Sequence, residues 1–248
     1  MNVLVKYQRL TSVSHRRVML ALAAMMTLTV ILFSSGCVPA QELILPQVEE
    51  LIDVKLPEPR YDSDVSVEQT LLQRRSVRDY TGEPLSLQQV SQLLWVAQGI
   101  TDLRGLRTAP SAGALYPLEI YLVVGDVENL VRGVYRYQPV GHALRRVLDG
   151  DLRAKLAAAA LGQGCVKEGA INIVFTAVYE RTTQRYGERG TRYVHMEVGH
   201  AAQNVYLQAV ALHLGTVVIG GFHDDLVREI LSLPQQDQPL YIMPVGRK

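Results

Sequence analysis

The chain has 248 residues, and its 25 Lys and Arg nearly balance 24 Asp and Glu, leaving a formal charge of +1 at neutral pH. That balance does not suggest a nucleic-acid partner, and the length, less an N-terminal targeting segment, fits one domain with a substantial core. Two cysteines and the lack of any repeat or low-complexity run leave an ordinary globular composition beyond the first forty residues.

The N-terminus reads as an export signal over residues 1–37. Lys6, Arg9, Arg16 and Arg17 precede an apolar run from Val18 to Phe33, followed by Ser34, Ser35, Gly36 and Cys37. The run falls short of the ~20 residues a spanning helix needs, so cleavage is expected rather than a permanent anchor. A cysteine directly after Ser-Ser-Gly resembles a bacterial lipobox, although Ser34 stands where that pattern prefers leucine. The expectation is an exported cell-envelope protein, acylated at Cys37 and held on a membrane by its lipid. Arg16-Arg17-Val18 with Ser14 also resembles a twin-arginine address, and the general secretory route stays open beside it. If Cys37 is acylated, Cys165 has no partner for a disulfide, and with no neighbouring histidine in sequence it is not read as catalytic.

Residues 38–63 are acidic and punctuated by Pro39, Pro46, Pro57 and Pro59, as a tether or an arm laid over the domain would be. The domain proper is expected over 64–248. Ser66 with Gln69 makes a capping pattern for a short helix that delivers Arg74 and Arg75 near its C-terminus. Ser86 with Gln89 repeats the pattern for a second helix, with Val90, Leu93, Leu94 and Val96 on one face and Gly99 at its end. Leu118 to Val124 is apolar at almost every position and predicts a buried strand. Gly133 to Tyr137 and Ala143 to Leu148 flank His142 as a hairpin, Leu152 to Leu161 predicts a helix, Cys165 falls in a loop, and Ile171 to Tyr179 predicts a second long strand. Tyr193 to Leu214 is the longest helical pattern, apolar on nearly all faces, which requires burial in a core and at a subunit interface. Gly215 ends it, Thr216 to Ile219 predicts a short strand, and Gly220-Gly221 opens the next turn.

Two stretches carry chemistry. Arg74-Arg75-Ser76-Val77-Arg78 places three guanidinium groups and a hydroxyl within five residues, the set best shaped to bond a phosphate monoester; the same arginines would also be stabilised simply by a helix C-terminus. Pro110-Ser111-Ala112-Gly113-Ala114-Leu115-Tyr116-Pro117 is either a tight turn or a small-residue floor that lets backbone approach a planar ligand. No GxGxxG follows a strand, so a Rossmann dinucleotide domain is not expected. Glu197 and His200 are spaced i, i+3, but no second such pair exists, and His195, His213 and His223 make no ligand spacing, so no metal is expected.

Taken together, RRSVRDYTG and TAPSAGALYPLEIYLVV resemble the flavin-binding signature of the nitroreductase superfamily, in its SagB/ThcOx-type dehydrogenase branch. Further segments follow in family order: Tyr186 to Tyr193, Glu197 to Asn204, Val218 to Phe222, and Pro239 to Gly246. The resemblance covers residues 55–248. It implies an α+β nitroreductase-like fold, a mainly antiparallel central sheet flanked by helices with one long buried helix in the core of a homodimer. It implies FMN at the dimer interface, a small-molecule substrate, and NAD(P)H as a possible electron donor. On the family motifs Arg74, Arg75 and Ser76 would hold phosphate and ribityl oxygens, and Arg78 would lie at the N1 and O2 edge. Gly220 and Gly221 would offer N–H groups to N5 and O4. Ser111 would likewise contact phosphate or ribityl oxygens; Ser111, Gly113 and Tyr116 would reach the other subunit's cofactor, and Pro110 counts among the cofactor-binding residues. Tyr116 and Tyr186 are the candidates for substrate contact or proton donation.

Three departures accompany the likeness. Ala114 and Tyr116 stand where many relatives have asparagine and glutamine. The chain stops at Gly246-Arg247-Lys248, with Arg247 as the substitute for cations that the family places beyond the last strand. Arg185-Tyr186 aligns with the Lys-Tyr pair of azoline dehydrogenases, and the missing lysine weakens that substrate class. The expected activity is FMN-dependent transfer of two electrons to or from a small organic or heterocyclic substrate. The alternative is a lipid-anchored binding module that retains the fold without turnover. The lipidation reading has a direct check: a fatty-acid probe fed to producing cells should label the chain, and a Cys37→Ser variant should lose the label, whereas equal labelling of both would refute acylation there.

Overall fold

The structure, a computed structural model, describes residues 53–248; the export segment, Cys37 and the linker up to residue 52 lie outside the described residues. Strands β1 (Asp53–Lys55), β2 (Leu118–Val124), β3 (Gly133–Gln138), β4 (Ala143–Asp149), β5 (Ile171–Ala177), β6 (Leu214–Thr216) and β7 (Gln238–Arg247) build one sheet. Its order is β1-β4-β3-β2-β5-β7-β6, and every pairing is antiparallel. The helices are α1 (Val67–Gln73), α2 (Leu87–Gln98), α3 (Arg153–Ala159), α4 (Gly164–Glu168), α5 (Glu180–Tyr186), α6 (Arg189–Ala211) and α7 (Asp224–Ile230). The α+β class and the antiparallel sheet are as expected from sequence. Among the described residues no helix is long and apolar enough to cross a membrane.

The sheet is the middle layer of three. Leu118, Ile120, Leu122 and Val124 of β2 point to one core, shared with Val90, Leu93, Leu94 and Ala97 of α2 and Val194, Val198, Ala201 and Val205 of α6. Tyr121 and Val123 point to the other, shared with Leu156 of α3, Val166 of α4 and Val227 of α7. Burial on both faces is why β2 is apolar at nearly every position instead of alternating. Ser66 caps α1 through the Gln69 N–H, and Ser86 and Gln89 form a reciprocal capping box on α2, whose C-terminal cap is Gly99.

Several boundaries differ from the sequence expectation, each for a local reason. The long helix runs 189–211 rather than 193–214, because His213 adopts φ +58° and reverses the chain. The following strand therefore begins at Leu214, where Leu214 and Thr216 pair with Arg247 and Val245; Ile219 contributes an isolated bridge to Ile242. Cys165 lies in α4, not in a loop, and is 6% exposed. Helix α6 is enclosed on one side only within a single chain: Val194, Val198, Ala201 and Val205 are buried, while His195, Met196, Gly199, His200 and Gln203 are exposed.

The segment entering the domain is pinned by a histidine. Ser91 donates to the Pro57 carbonyl at 2.5 Å, and its oxygen lies 2.7 Å from His142 Nε2; Tyr137 O–H lies 2.9 Å from Nδ1. Since the single hydroxyl proton of Ser91 is committed to Pro57, Nε2 donates to Ser91 and Nδ1 accepts from Tyr137, which requires a neutral ring. Burial holds the His142 pKa below its ordinary value. A base depressed on folding is bound by more protons in the unfolded chain, so this contribution to stability is lost as pH falls below the ordinary histidine range. His142→Ala should lower stability by about 1–3 kcal/mol at neutral pH and flatten that acid-side decline, read as urea midpoints across pH; an unchanged slope would refute the pin.

Candidate active site

The two chemistry-bearing stretches enter the structure at different places. The first leaves α1 in extended form and lies along β6. The Val77 N–H donates to the Thr216 carbonyl at 2.9 Å, Thr81 N–H donates to the Arg247 carbonyl at 3.0 Å, and Tyr80 packs over Gly246. The Tyr206 hydroxyl, on α6, accepts from the Val218 N–H at 2.8 Å and lies 3.2 Å from the Ser76 hydroxyl. The Arg74 guanidinium sits 5.2 Å from the Tyr206 ring centroid. Arg74, Ser76 and the strand leading to Gly220-Gly221 thus share one rim, across 144 positions of sequence between Ser76 and Gly220.

At that rim Arg75, Ser76, Arg78, Gly220 and Gly221 are exposed and Arg74 is half-buried. Arg75 donates to the carbonyls of Leu72 and Arg74, so it satisfies the end of α1. The N–H groups of Gly220 and Gly221 meet no acceptor among the described residues, while the Gly221 carbonyl accepts from the Gln163 amide at 3.3 Å. Arg78 acts on the Cys165 thiol, but burial dominates and pushes that thiol up, away from thiolate chemistry. Arg247 is turned elsewhere: it donates to the Pro84 carbonyl at 3.0 Å and to Gln89 at 3.4 Å, with Glu83 3.7 Å away. The structure does not bring its guanidinium to the Arg74 rim.

The second stretch forms a compact loop containing a 3₁₀ turn at Ala112–Ala114. Pro110 leads into it exposed. The Ser111 hydroxyl accepts from the Tyr116 N–H at 2.9 Å, Gly113 has φ +64° and Tyr116 has φ +46°. The Tyr116 hydroxyl accepts from the Arg107 N–H at 3.1 Å, the Arg107 guanidinium lies 4.5 Å from its ring centroid, and its carbonyl accepts from Arg181 at 3.1 Å. Arg181 also bonds Glu119, which Arg136 binds from the other side. Tyr186 ends α5 with its hydroxyl 2.8 Å from the position a Cβ on Gly113 would occupy, and its ring meets Tyr193 edge to face at 5.2 Å. The two candidate tyrosines therefore flank one loop, Tyr116 as its pin and Tyr186 across from its glycine.

Within one chain the loop and the rim remain apart. Glu197, under the loop, and Tyr206, at the rim, are separated by about 14 Å of α6 axis at 1.5 Å per residue. Tyr206, Arg107, Gln98 and Arg181 were not singled out from sequence. Tyr206 carries the one available signal, a half-buried hydroxyl on a helix whose buried positions are Gly, Ala and Val apart from Glu197.

The Nitroreductase family model matches residues 71–247. A protein of Methanocaldococcus jannaschii, provisionally named a nitroreductase, is 49% identical over 199 residues that span 80% of this chain and 98% of the relative. The Microcin B17-processing protein McbC of Escherichia coli is 30% identical over 169 residues, 65% of this chain and 62% of McbC. A solved structure from Anabaena variabilis, also provisionally titled a nitroreductase, superposes with a TM-score of 0.71 at 32% identity, covering 79% of this chain and 42% of that one.

Gly113 offers the sharpest test of the loop's geometry. An alanine there would be held at a left-handed φ and would meet the Tyr186 hydroxyl at 2.8 Å and Arg185 Nη1 at 3.0 Å. Gly113→Ala should cost about 1–2 kcal/mol through the backbone alone and displace the Tyr186 side chain, seen as a lowered unfolding midpoint and raised amide exchange over residues 111–116. Wild-type values for both would refute the packing described.

Proposed function

The chain belongs to the nitroreductase family, and from that premise we propose that it is an FMN-dependent oxidoreductase, acting as a homodimer, that moves two electrons between a reductant and a small organic substrate. One observation carries the reading: the Val77 to Thr216 backbone bond, with Tyr206 between Ser76 and Val218, joins the guanidinium segment to the paired glycines. An anionic, flat cofactor needs both.

The residues present fit such a group. A phosphate monoester carries close to two negative charges, and Arg74, Arg75 and Ser76 would hold it, Arg75 exchanging its helix-end carbonyls for phosphate oxygens. The unpartnered N–H groups of Gly220 and Gly221 would meet the ring edge at N5 and O4 without crowding it, and Arg78 would stand at the N1 and O2 edge. When bound, the flavin supplies the electron chemistry, while the protein supplies position and potential. Arg247, committed to Pro84 and Gln89, has no part in the phosphate site of this proposal.

Separation of loop from rim along α6 supports the dimer. A second copy packed on the exposed side of α6, where Met196, Gly199, His200 and Gln203 lie, would bring its own Pro110–Pro117 loop, Tyr116 and Tyr186 to the first copy's rim. Substrate would then meet Tyr186 and the loop of one protomer over the cofactor of its partner. A nicotinamide nucleotide is the donor the family implies. Kinship with a microcin-processing protein raises peptide heterocycles as substrates, but Arg185, stacked 5.5 Å from the Tyr186 ring, is a poor general base. Other small acceptors such as quinones and nitroaromatics are the better candidates. Export, with acylation at Cys37, belongs to the same proposal.

Purified full-length protein should be yellow, with a flavin band bleached by dithionite. Arg74→Ala with Arg78→Ala should weaken FMN binding about tenfold to a hundredfold, the weight of one charge-assisted bond or more. A colourless protein that ignores added FMN would overturn the reading and leave the fold as a binding module.

A further inference from the structure

Beneath the Ser111–Tyr116 loop lies a group of buried polar side chains to which the flavin reading gives no task. Glu197, on the inner face of α6, is 2% exposed, and its Oε1 has no hydrogen-bond partner. Gln98, at the end of α2, is fully buried; its Oε1 accepts from Arg107 Nη1 at 2.9 Å, but its Nε2 is unpartnered. Arg107 Nε is a third buried atom without a partner. Interiors rarely leave such groups unpaired, and three converging on one place need an explanation.

The groups facing Glu197 are all donors: the Ser111 hydroxyl, the Gln98 amide and the Arg107 guanidinium. They favour its carboxylate, yet burial outweighs them and holds its pKa up to about 7. Arg107 is the charge that acts on it directly; Glu119 of β2, Arg181 of α5 and Tyr116 of the loop act on Arg107 in turn. Arg107 is half-buried without an ion-pair contact to Glu197, and it grips the loop at two points, its guanidinium on the Tyr116 ring and its backbone N–H on the Tyr116 hydroxyl.

We propose that Glu197 is a positioning residue for the loop, which takes one arrangement while the carboxyl is protonated and a second, closed by a Glu197 to Arg107 ion pair, when it ionises. In the first, Arg107 covers Tyr116 and holds it at its left-handed backbone angle. In the second, the guanidinium turns from the ring to the carboxylate, which unloads Tyr116. Any effect on turnover rests on the flavin reading, since it acts through the loop that a partner would present to the cofactor. The switch itself does not.

The experiment uses the full-length, flavin-free chain across a pH range centred on 7. Carbon-13 NMR of labelled glutamate carboxyls should show one group titrating near neutrality, and amide exchange over residues 111–116, corrected for its intrinsic pH dependence, should change severalfold with the same midpoint. Glu197→Gln should abolish both. Arg107→Lys should keep the titration and uncouple the loop from it. Loop exchange that stays flat through the carboxyl's midpoint in the wild-type protein would overturn the proposal, whether or not either variant folds. A colourless protein would defeat the flavin reading and leave these measurements decisive for the switch.

Discussion

The backbone bond from Val77 N–H to Thr216 C=O is the constraint from which the rest of the molecule's arrangement can be read. It fastens the segment after α1 to β6, and it depends on two glycines acting through space rather than through φ. A Cβ on Gly215 would lie 2.6 Å from Val77 Cγ1, and one on Gly246 would lie 2.6 Å from Tyr80 Cγ. Only bare backbone on β6 and β7 lets Val77 and Tyr80 lie flat against the sheet edge, with Tyr80 O–H donating to the Val77 and Pro244 carbonyls. Because Val77 lies between Ser76 and Arg78, that close approach places the hydroxyl and the guanidinium groups where they stand.

Helix α6 is the second organising element, since it carries one end of each cluster. Tyr206 ties the rim together and Glu197 underlies the loop, both on one rigid rod. The loop is braced from outside by Arg181, which bonds the Tyr116 carbonyl and Glu119, and Glu119 in turn holds Arg136 of β3. Such a charge network is weak in stability terms where exposed, but Glu119 is only 9% exposed and its two arginines fix direction as much as energy.

The fold was legible where local signals and tertiary demands agreed. The N-cap at Ser66, the capping box at Ser86, the unbroken apolar strands and the hairpin around His142 all carry their physics within a few residues. Short helices α5 and α7 and strand β1 were not legible, because each is about a turn or two long and takes its stability from packing rather than periodicity. The C-terminus of α6 was misplaced because nothing in His213 announces a positive φ; the strand that β7 recruits at Leu214 imposes it. In the site, Arg74, Ser76 and the glycine pair were visible as residue types, and their meeting was not, since it relies on Tyr206 and on contacts more than a hundred residues apart. Arg247 shows the reverse case: a cation expected to serve a ligand that the fold uses to close its own N-terminal helix junction.

Two titratable groups, the half-buried His142 and the buried Glu197, respond to acid in opposite senses. His142 is held neutral, so protonation below the ordinary histidine range works against the pin that binds Pro57 and Ser91. Glu197 is held protonated up to about 7, so the folded chain binds more protons than the unfolded one between the ordinary glutamate value and neutrality, and its contribution to stability grows as pH falls across that window. One group loosens the arm where the other consolidates the loop. These effects are separated in space: the arm leads into α1 and its guanidinium segment, while the loop carries Tyr116 opposite Tyr186. Acid therefore acts on the arm through His142, Ser91 and Pro57 and on the loop through Glu197, in opposite senses.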